Sequence, residues 1–436
     1  MTEAAHHHGV AALLALYRAG ALMPSDVVDA TLDRIAALNG DLNAFVELDE
    51  AGALQAAAES DRQILSAAPR PLEGVPVAIK TNIDVEGLVT SAGIEARKDY
   101  VAESDAQVVA DLRDAGAIIL GTLNMEEAAL GAKTDNPWLG AAQNPHRIGY
   151  TPGGSSGGSG AAVAAGLCVA ALGTDTLGSV RVPSAYCGVY GLKPTYGAIS
   201  QNGLEICEGS LDVIGPLARS LGDLEIISRV LIDMDDAQPI GAPALLEGLG
   251  DVECEPAVLT AYEKACELTG ASASFSLPDP LTRIRFAGFI AAARALHAHL
   301  AELRASDPEG LSDNLKFLID IGPKRDAADL AEDQAVLERT RATIQSVVAE
   351  HGAILLPTMP QAAFPHSDKA PANQADFTCL ANIAGLPSLS IPAGTNEHGL
   401  PVAIQLIGAA GNEAGLFALA RGLDTQLDGY RPPDLF

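Results

Sequence analysis

Two spacings of apolar residues alternate along this chain. In "DVVDATLDRIAAL" (26–38) they recur three and four apart, the period of a helix with one buried face, and Ser25 stands where an N-terminal cap belongs. On that period residues 10–66 are expected to be helical. "GVPVAIKTNID" (74–84) is apolar without a break until it turns polar, as a short buried strand does. "SDAQVVADLRDAGAIILGTLN" (104–124) predicts a helix, a stop at Gly116 and a strand. The same order returns in "AVLERTRATIQSVVAEHGAILLPTMP" (335–360), with Gly352 as the stop. Helix, glycine, apolar strand, repeated, is the pattern of an α/β sheet covered by helices. Residues 240–345 break it. They are mostly helical, richer in charge and punctuated by "SLPDP" and "DPEG" turns, and are expected to form a helical insertion or cap within a single domain spanning 1–436.

Composition narrows the functional classes. A chain of 436 residues with 48% hydrophobic and 19% charged residues is globular in character, and with 4% aromatics its core must be built from Ala, Val, Leu and Ile. The net charge of −29 comes with no basic cluster, which argues against nucleic acid or an anionic membrane surface as partner. The longest apolar run, near 161–173, is broken by Gly166 and too short to span a bilayer. Cys168, Cys187, Cys207, Cys254, Cys266 and Cys379 show no paired spacing, which fits free thiols in a cytoplasmic protein. His6-His7-His8 are capable of metal binding but read as a terminal feature, and no metal or cofactor is expected.

Chemistry concentrates between Gly149 and Pro194, "GYTPGGSSGGSGAAVAAGLCVAALGTDTLGSVRVPSAYCGVYGLKP". No lysine follows the glycines as a phosphate-binding P-loop requires, and a linker would not run straight into "AAVAAGLCVAALG". Asp175 lies about where a dinucleotide fingerprint places its acid, but "TPGG" is not strand-like. A serine nucleophile remains, and its hydroxyl is weak until a base takes the proton. The histidines are poorly placed for that role: His297 and His299 fall in a helix, His351 at a helix end, His146 and His366 in loops. Lysine is the better base. To be neutral near pH 7 it must lose roughly three units from its free pKa of about 10.4, a cost of about 4 kcal/mol that burial can impose. Lys80, ending the apolar run "GVPVAI", fits best, and Lys193 in "GLKP" is the second candidate.

Several blocks together resemble the amidase signature family: "GVPVAIKTNIDV", "TPGGSSGGSGAAVAAG", "GTDTLGSVRVPSAYCGVYGLKPT", "SLDVIGPLARS", "GAIILGTLNMEEAALG", "ANIAGLPSLSIPAG" and "GLPVAIQLIG". They cover nearly the whole chain outside 240–345. The resemblance implies a mixed, twisted β-sheet covered on both faces by α-helices, and a Ser–cis-Ser–Lys triad. Carried over by motif, Lys80 is the base, Ser155 the bridging serine after a cis peptide bond, and Ser179 the nucleophile. It implies an oxyanion hole from the backbone N–H groups of Thr176, Leu177, Gly178 and Ser179. Ser156 and Thr174 are expected beside the lysine, with Asp175 and Arg181 as a bidentate pair pinning the nucleophile turn.

One position departs from the family. Gly-Gly-Ser is usual at the nucleophile; here it is Leu177-Gly178-Ser179. Leucine does not readily adopt positive φ, so either the hole is distorted or the side chain narrows the acyl pocket, and the second reading is preferred. The loop "QNGLEICEGSLD" (201–212) is expected near the site, with Glu205 and Glu208 as solvated acids and Cys207 between them. The implied function is hydrolysis of a small non-peptide amide, carbamate or urea derivative through a Ser179 acyl-enzyme, with the segment 240–345 and the loops near 125–140 choosing the substrate. A homodimer is compatible with this. Two alternatives stand beside it: the glutaminase component of a tRNA-dependent amidotransferase, disfavoured by the altered turn and the short chain, and a non-catalytic binding relative.

Overall fold

Successive residues of the central strands feed two different cores. The computed structural model describes residues 8–66, 69–234, 237–427 and 429–434, so His6 and His7 lie outside the described residues. The strands are β1 (Phe45–Leu48), β2 (Pro76–Lys80), β3 (Ile118–Leu123), β4 (Asp135–Asn136), β5 (Gly140–Ala141), β6 (Ala170–Asp175), β7 (Tyr190–Lys193), β8 (Val213–Ala218), β9 (Ala244–Leu246), β10 (Ser274–Phe275), β11 (Ala353–Pro357), β12 (Ser388–Thr395) and β13 (Pro401–Gly408). Val77 and Ile79 of β2, Ile119 of β3, and Ala170 and Leu172 of β6 enter one cluster. Ala78, Ile118, Leu120 and Ala171 enter the other. Because side chains alternate across a strand, an unbroken apolar run means burial on both faces.

Helices Val10–Arg18, Gln107–Asp114 and Leu221–Leu231 cover the first face, through residues such as Leu13, Leu112 and Ile227. Helices Pro24–Leu42, Glu50–Ser66 and Gly157–Ala164 cover the second, through Ile35, Ala57 and Ala162. The last of these is buried along its whole length. Its small residues let it lie against the sheet: a Cβ on Gly158 would come within 2.4 Å of the Asn124 carbonyl oxygen and 2.7 Å of that of Ala44.

Among the described residues eleven strands form one mixed sheet in the order β1-β3-β2-β6-β8-β7-β12-β13-β11-β9-β10. β2 pairs in parallel with both β3 and β6, so the three deliver their C-terminal ends to one edge. The segment 240–345 contributes β9 and β10, which extend the far end of the sheet beyond β11. These two short strands carry no alternation that sets them apart from the helices around them. Helix Leu281–His299 of the same segment crosses the loops that follow β2 and β3: Ala292 and Leu296 pack in one cluster with Ala92, Ile94, Met125 and Ala128.

Two local expectations are corrected. The second helix starts at Pro24, so Ser25 lies inside its first turn and its hydroxyl donates instead to Asp61 at 2.7 Å. Proline suits the first helical position because its missing N–H would be unpaired there. Residues 10–66 are also not helical throughout. Asn43 takes a left-handed conformation (φ 48°) that ends the helix, and β1 follows, pairing antiparallel with β3.

Candidate active site

The end of β2 brings Lys80 to the meeting point of the parallel strands, where its side chain is fully buried. Its Nζ lies 2.6 Å from the Ser155 hydroxyl, 3.0 Å from Ser156 and 2.8 Å from Thr174. The peptide bond between Gly154 and Ser155 is cis. Thr174 arrives from the end of β6, and Ser155 and Ser156 from the loop that opens helix Gly157–Ala164. No carboxylate pairs with the ammonium among the described residues. Burial pushes the Lys80 pKa down to about 7, against the opposing pull of Asp212, Cys207, Asp175 and Glu126.

The hydroxyl protons around Lys80 are not equivalent. Ser156 donates to the Thr174 carbonyl at 3.1 Å, so it faces the lysine as an acceptor. Thr174 Oγ1 also accepts from Asn82 Nδ2 at 3.2 Å. Ser155 has no such commitment, and a neutral amine can donate to Ser156 and Thr174 while its lone pair receives the Ser155 proton. Ser179 is 9% exposed. The two serine segments are joined by Ser156 N–H donating to the Ser179 carbonyl at 3.2 Å, whereas the Ser155 and Ser179 hydroxyls are not bonded to each other.

The turn carrying Ser179 is held from below by Asp175. One carboxylate oxygen accepts from Gly178 N–H at 2.7 Å and the other from Val180 N–H at 3.1 Å. Arg181 meets both oxygens at 3.0 Å, a bidentate pair with both side chains fully buried. The guanidinium is completed by Gln405 at 2.8 Å and Asn382 at 2.7 Å. Burial alone would raise the Asp175 pKa; Arg181 overcomes this and holds it at about 2.

Commitment of the Gly178 N–H to Asp175 corrects the expected oxyanion hole. That N–H is not available to a substrate. The N–H groups of Thr176, Leu177 and Ser179 make no hydrogen bond to another described residue and are the donors that remain. The turn also resolves the Leu177 question. Gly178 takes the positive φ (137°), and a Cβ there would fall 2.2 Å from Thr378 Oγ1; Leu177 is not among the residues with positive φ. Its side chain lies against helix Leu281–His299 instead, where a Cβ on Gly288 would come within 2.9 Å of Leu177 Cδ2.

Ser179 opens onto a cavity of about 200 Å³ lined by Leu130, Leu177, Val182, Phe289 and Ala292, with Cys207 and Arg285 also on its wall. The loop 201–212 does reach the site, but Glu205 is not a solvated acid. Its carboxylate pairs with Arg97 at 3.1 Å and with His299 at 2.5 Å. Glu208 is half-buried and accepts from Ser210. Lys193, the other candidate base, is fully buried elsewhere and donates to the Pro194 carbonyl at 2.8 Å. His146 and His366 are spent on backbone carbonyls of Cys187 and Ala142.

Sequence reasoning missed Asp212. Its Oδ1 accepts from the Thr176 hydroxyl at 2.6 Å and its Oδ2 from Cys207 N–H at 2.7 Å and Glu208 N–H at 3.0 Å. It thereby ties the nucleophile turn to the 201–212 loop. Asn382 and Gln405 were missed as well. Each is a polar residue inside an otherwise apolar run, "CLANIAGLP" and "VAIQLIG", and a buried amide requires a partner.

The chain has clear relatives among known proteins. The family model described as Amidase matches residues 26–417. A glutamyl-tRNA(Gln) amidotransferase subunit of Salinibacter ruber is 48% identical over 229 residues, 52% of this chain and 45% of that one. The protein of the same name from an Anaeromyxobacter species is 36% identical over 95% of both chains. A solved structure, presented as a vestigial protein complex that reveals the evolutionary origins of an s-triazine catabolic enzyme, superposes with a TM-score of 0.90. It is 30% identical, over 97% of this chain and 100% of that one.

Proposed function

The chain belongs to the amidase family, whose members cleave carbon–nitrogen bonds, and from that premise we propose that it hydrolyses the carboxamide of glutamine or a similar small amide as one component of a larger assembly. The observation that carries the chemistry is Lys80: a buried lysine bonded to three hydroxyls and, among the described residues, paired with no carboxylate. Neutral Lys80 takes the Ser155 proton as Ser155 takes that of Ser179. Ser179 Oγ attacks the amide carbon. The N–H groups of Thr176, Leu177 and Ser179 receive the developing oxyanion, each such donor contributing roughly 3–4 kcal/mol. The proton returns through Ser155 to the leaving nitrogen, ammonia departs, and water releases the acyl group from Ser179. The Ser179 hydroxyl must turn toward Ser155 for the first transfer, a contact that commonly tightens only with substrate bound.

The relatives named as amidotransferase subunits favour the assembled form over a free-standing hydrolase. The shortness of the chain does not oppose this, since the Anaeromyxobacter relative aligns over 95% of both chains. The departure at Leu177 does not oppose it either, since the positive φ falls on Gly178. A free-standing small-amide hydrolase is the second reading, favoured by the tight, mostly apolar cavity.

The test is labelling with an uncharged fluorophosphonate, then release of ammonia from glutamine and from simple amides. The wild type should be labelled at Ser179 and Ser179→Ala should not. Glutaminase activity that rises with a candidate partner protein would support the assembled form. Full activity of the lone chain on simple amides, unaffected by any partner, would establish the second reading. Absence of labelling in folded protein would defeat both.

A further inference from the structure

Helix Leu281–His299 presents one stripe to the nucleophile turn. Arg285, Gly288, Phe289 and Ala292 recur at three and four along it, so they share a face. Gly288 is where Leu177 of the turn packs, while Arg285, Phe289 and Ala292 line the Ser179 cavity. This helix lies in the segment 240–345 and forms part of the wall that a substrate at Ser179 would meet. Among the described residues, Arg285 is the one basic side chain on a wall otherwise made of apolar, small and uncharged groups, and no carboxylate lines the cavity with it. Its Nε donates to Asp376 at 2.5 Å, which fixes the guanidinium plane. Among the described residues neither Nη makes a hydrogen bond, and the side chain is 22% exposed. Asp376 itself is 1% exposed.

A guanidinium anchored at one edge and open at the other presents paired N–H donors, the geometry that suits a carboxylate. The protein as a whole carries −29, which would repel an anion, so a lone cation inside the cavity marks a local preference. We infer that the site takes small amides that carry a carboxylate, and that the free edge of Arg285 recognises it. This rests on the reading of Ser179 as nucleophile. It places monoamides of dicarboxylic acids, and amino acids with a side-chain amide such as glutamine, above neutral amides of equal size. The bland alternative is an ion pair that merely holds the helix to the 371–378 loop.

The experiment compares succinamate, glutamine, butyramide and N-acetylglycine on the full chain. The variants are wild type, Arg285→Lys and the double variant Arg285→Gln/Asp376→Asn, which leaves no buried acid unpaired. In the wild type kcat/KM should favour the acyl-side carboxylates over butyramide by roughly 10- to 100-fold, the effect of one charge-assisted pair. That ratio should collapse toward one in the double variant and stand between in Arg285→Lys. A matching preference for N-acetylglycine would place the carboxylate on the amine fragment instead and keep the role of Arg285. Equal use of charged and neutral amides, or a preference that survives the double variant, overturns the inference. Where turnover is too slow, protection of Ser179 from fluorophosphonate by succinate, compared with butyramide, is read in the same way. Labelling without discrimination sinks only the role of Arg285; no labelling sinks the nucleophile and this inference with it.

Discussion

Lys80 and Lys193 are the same residue in nearly the same circumstance, yet only one is bonded to hydroxyls. Each ends a strand of the same sheet, each is fully buried, and burial pushes each pKa down to about 7. Their neighbours differ. Lys80 faces the hydroxyls of Ser155, Ser156 and Thr174, and the Ser155 hydroxyl donates to no other described residue. Lys193 faces the Pro194 carbonyl, which can only accept. Burial brings both amines toward neutrality; on the proposed mechanism, a donor within reach is what distinguishes Lys80.

The comparison breaks most sharply on removing each amine. Lys80→Met should lower the rate of Ser179 labelling and turnover by roughly 10³- to 10⁴-fold, the scale of a lost general base. Lys193→Met should leave both within about threefold. Equal losses would mean that Lys80 is structural too. The stability effects, by contrast, should run the same way in both variants, since burial holds both amines at about 7. A lysine held at about 7 binds its proton less readily folded than unfolded, so Lys193→Met should stabilise the protein most at and below pH 7. The gain should shrink as pH rises from 7 to about 10, where the unfolded lysine loses its proton as well. Urea denaturation at pH 6 and pH 9 measures it.

Asp175 is common to both lysines, since its charge reaches each of them. Asp175→Asn should leave the Arg181 guanidinium buried without its anion and cost about 3–5 kcal/mol, read as a fall in thermal midpoint. Asp212 touches only the Lys80 side. Activity should rise with pH up to about 7 and then level, because only neutral Lys80 accepts a proton. Removing the negative charge at Asp212 disfavours protonated Lys80, so Asp212→Asn should move that acid limb to lower pH. Lys193→Met should not move it. Asp175 and Glu126 also act on Lys80 by charge, and Asp212, raised by burial to about 6, itself titrates within this limb, whereas the Cys207 thiol, pushed well up, stays uncharged. A pH–rate profile of kcat/KM separates these cases. The smallest effect is expected at Leu177→Gly, which should admit bulkier acyl groups while changing turnover of small amides by less than tenfold. A collapse on small amides would mean that the leucine supports the turn.

Much of this was legible in the chain. Unbroken apolar runs such as "GVPVAI" announced strands buried on both faces, and the glycine stops at 116 and 352 fell where helices end. The family blocks pointed to Lys80, Ser155 and Ser179, which the structure brings to one edge of the sheet. Other features were not legible for definite reasons. β1 hid inside a helical period because its four residues are too few to override their surroundings. The Gly178 N–H was assigned to the substrate because nothing along the chain shows that Asp175, three residues earlier, folds back to claim it. Glu205 read as solvated because its partners, Arg97 and His299, are distant in sequence.

By itself the sequence determined the alternation of helices and strands and the fit of a buried lysine as base, because those depend on local periodicity and on residue chemistry; the candidate nucleophile and its relay came from the family resemblance of its motifs. The tertiary structure decided which of two buried lysines faces a donor, which backbone N–H groups are left for an oxyanion, and which helix supplies a cation to the cavity. Those depend on distances between residues far apart in the chain: Lys80 to Thr174, Asp212 to Thr176, Arg285 to Asp376. A hydrogen bond lost over less than an ångström has no counterpart in a pattern of residue types.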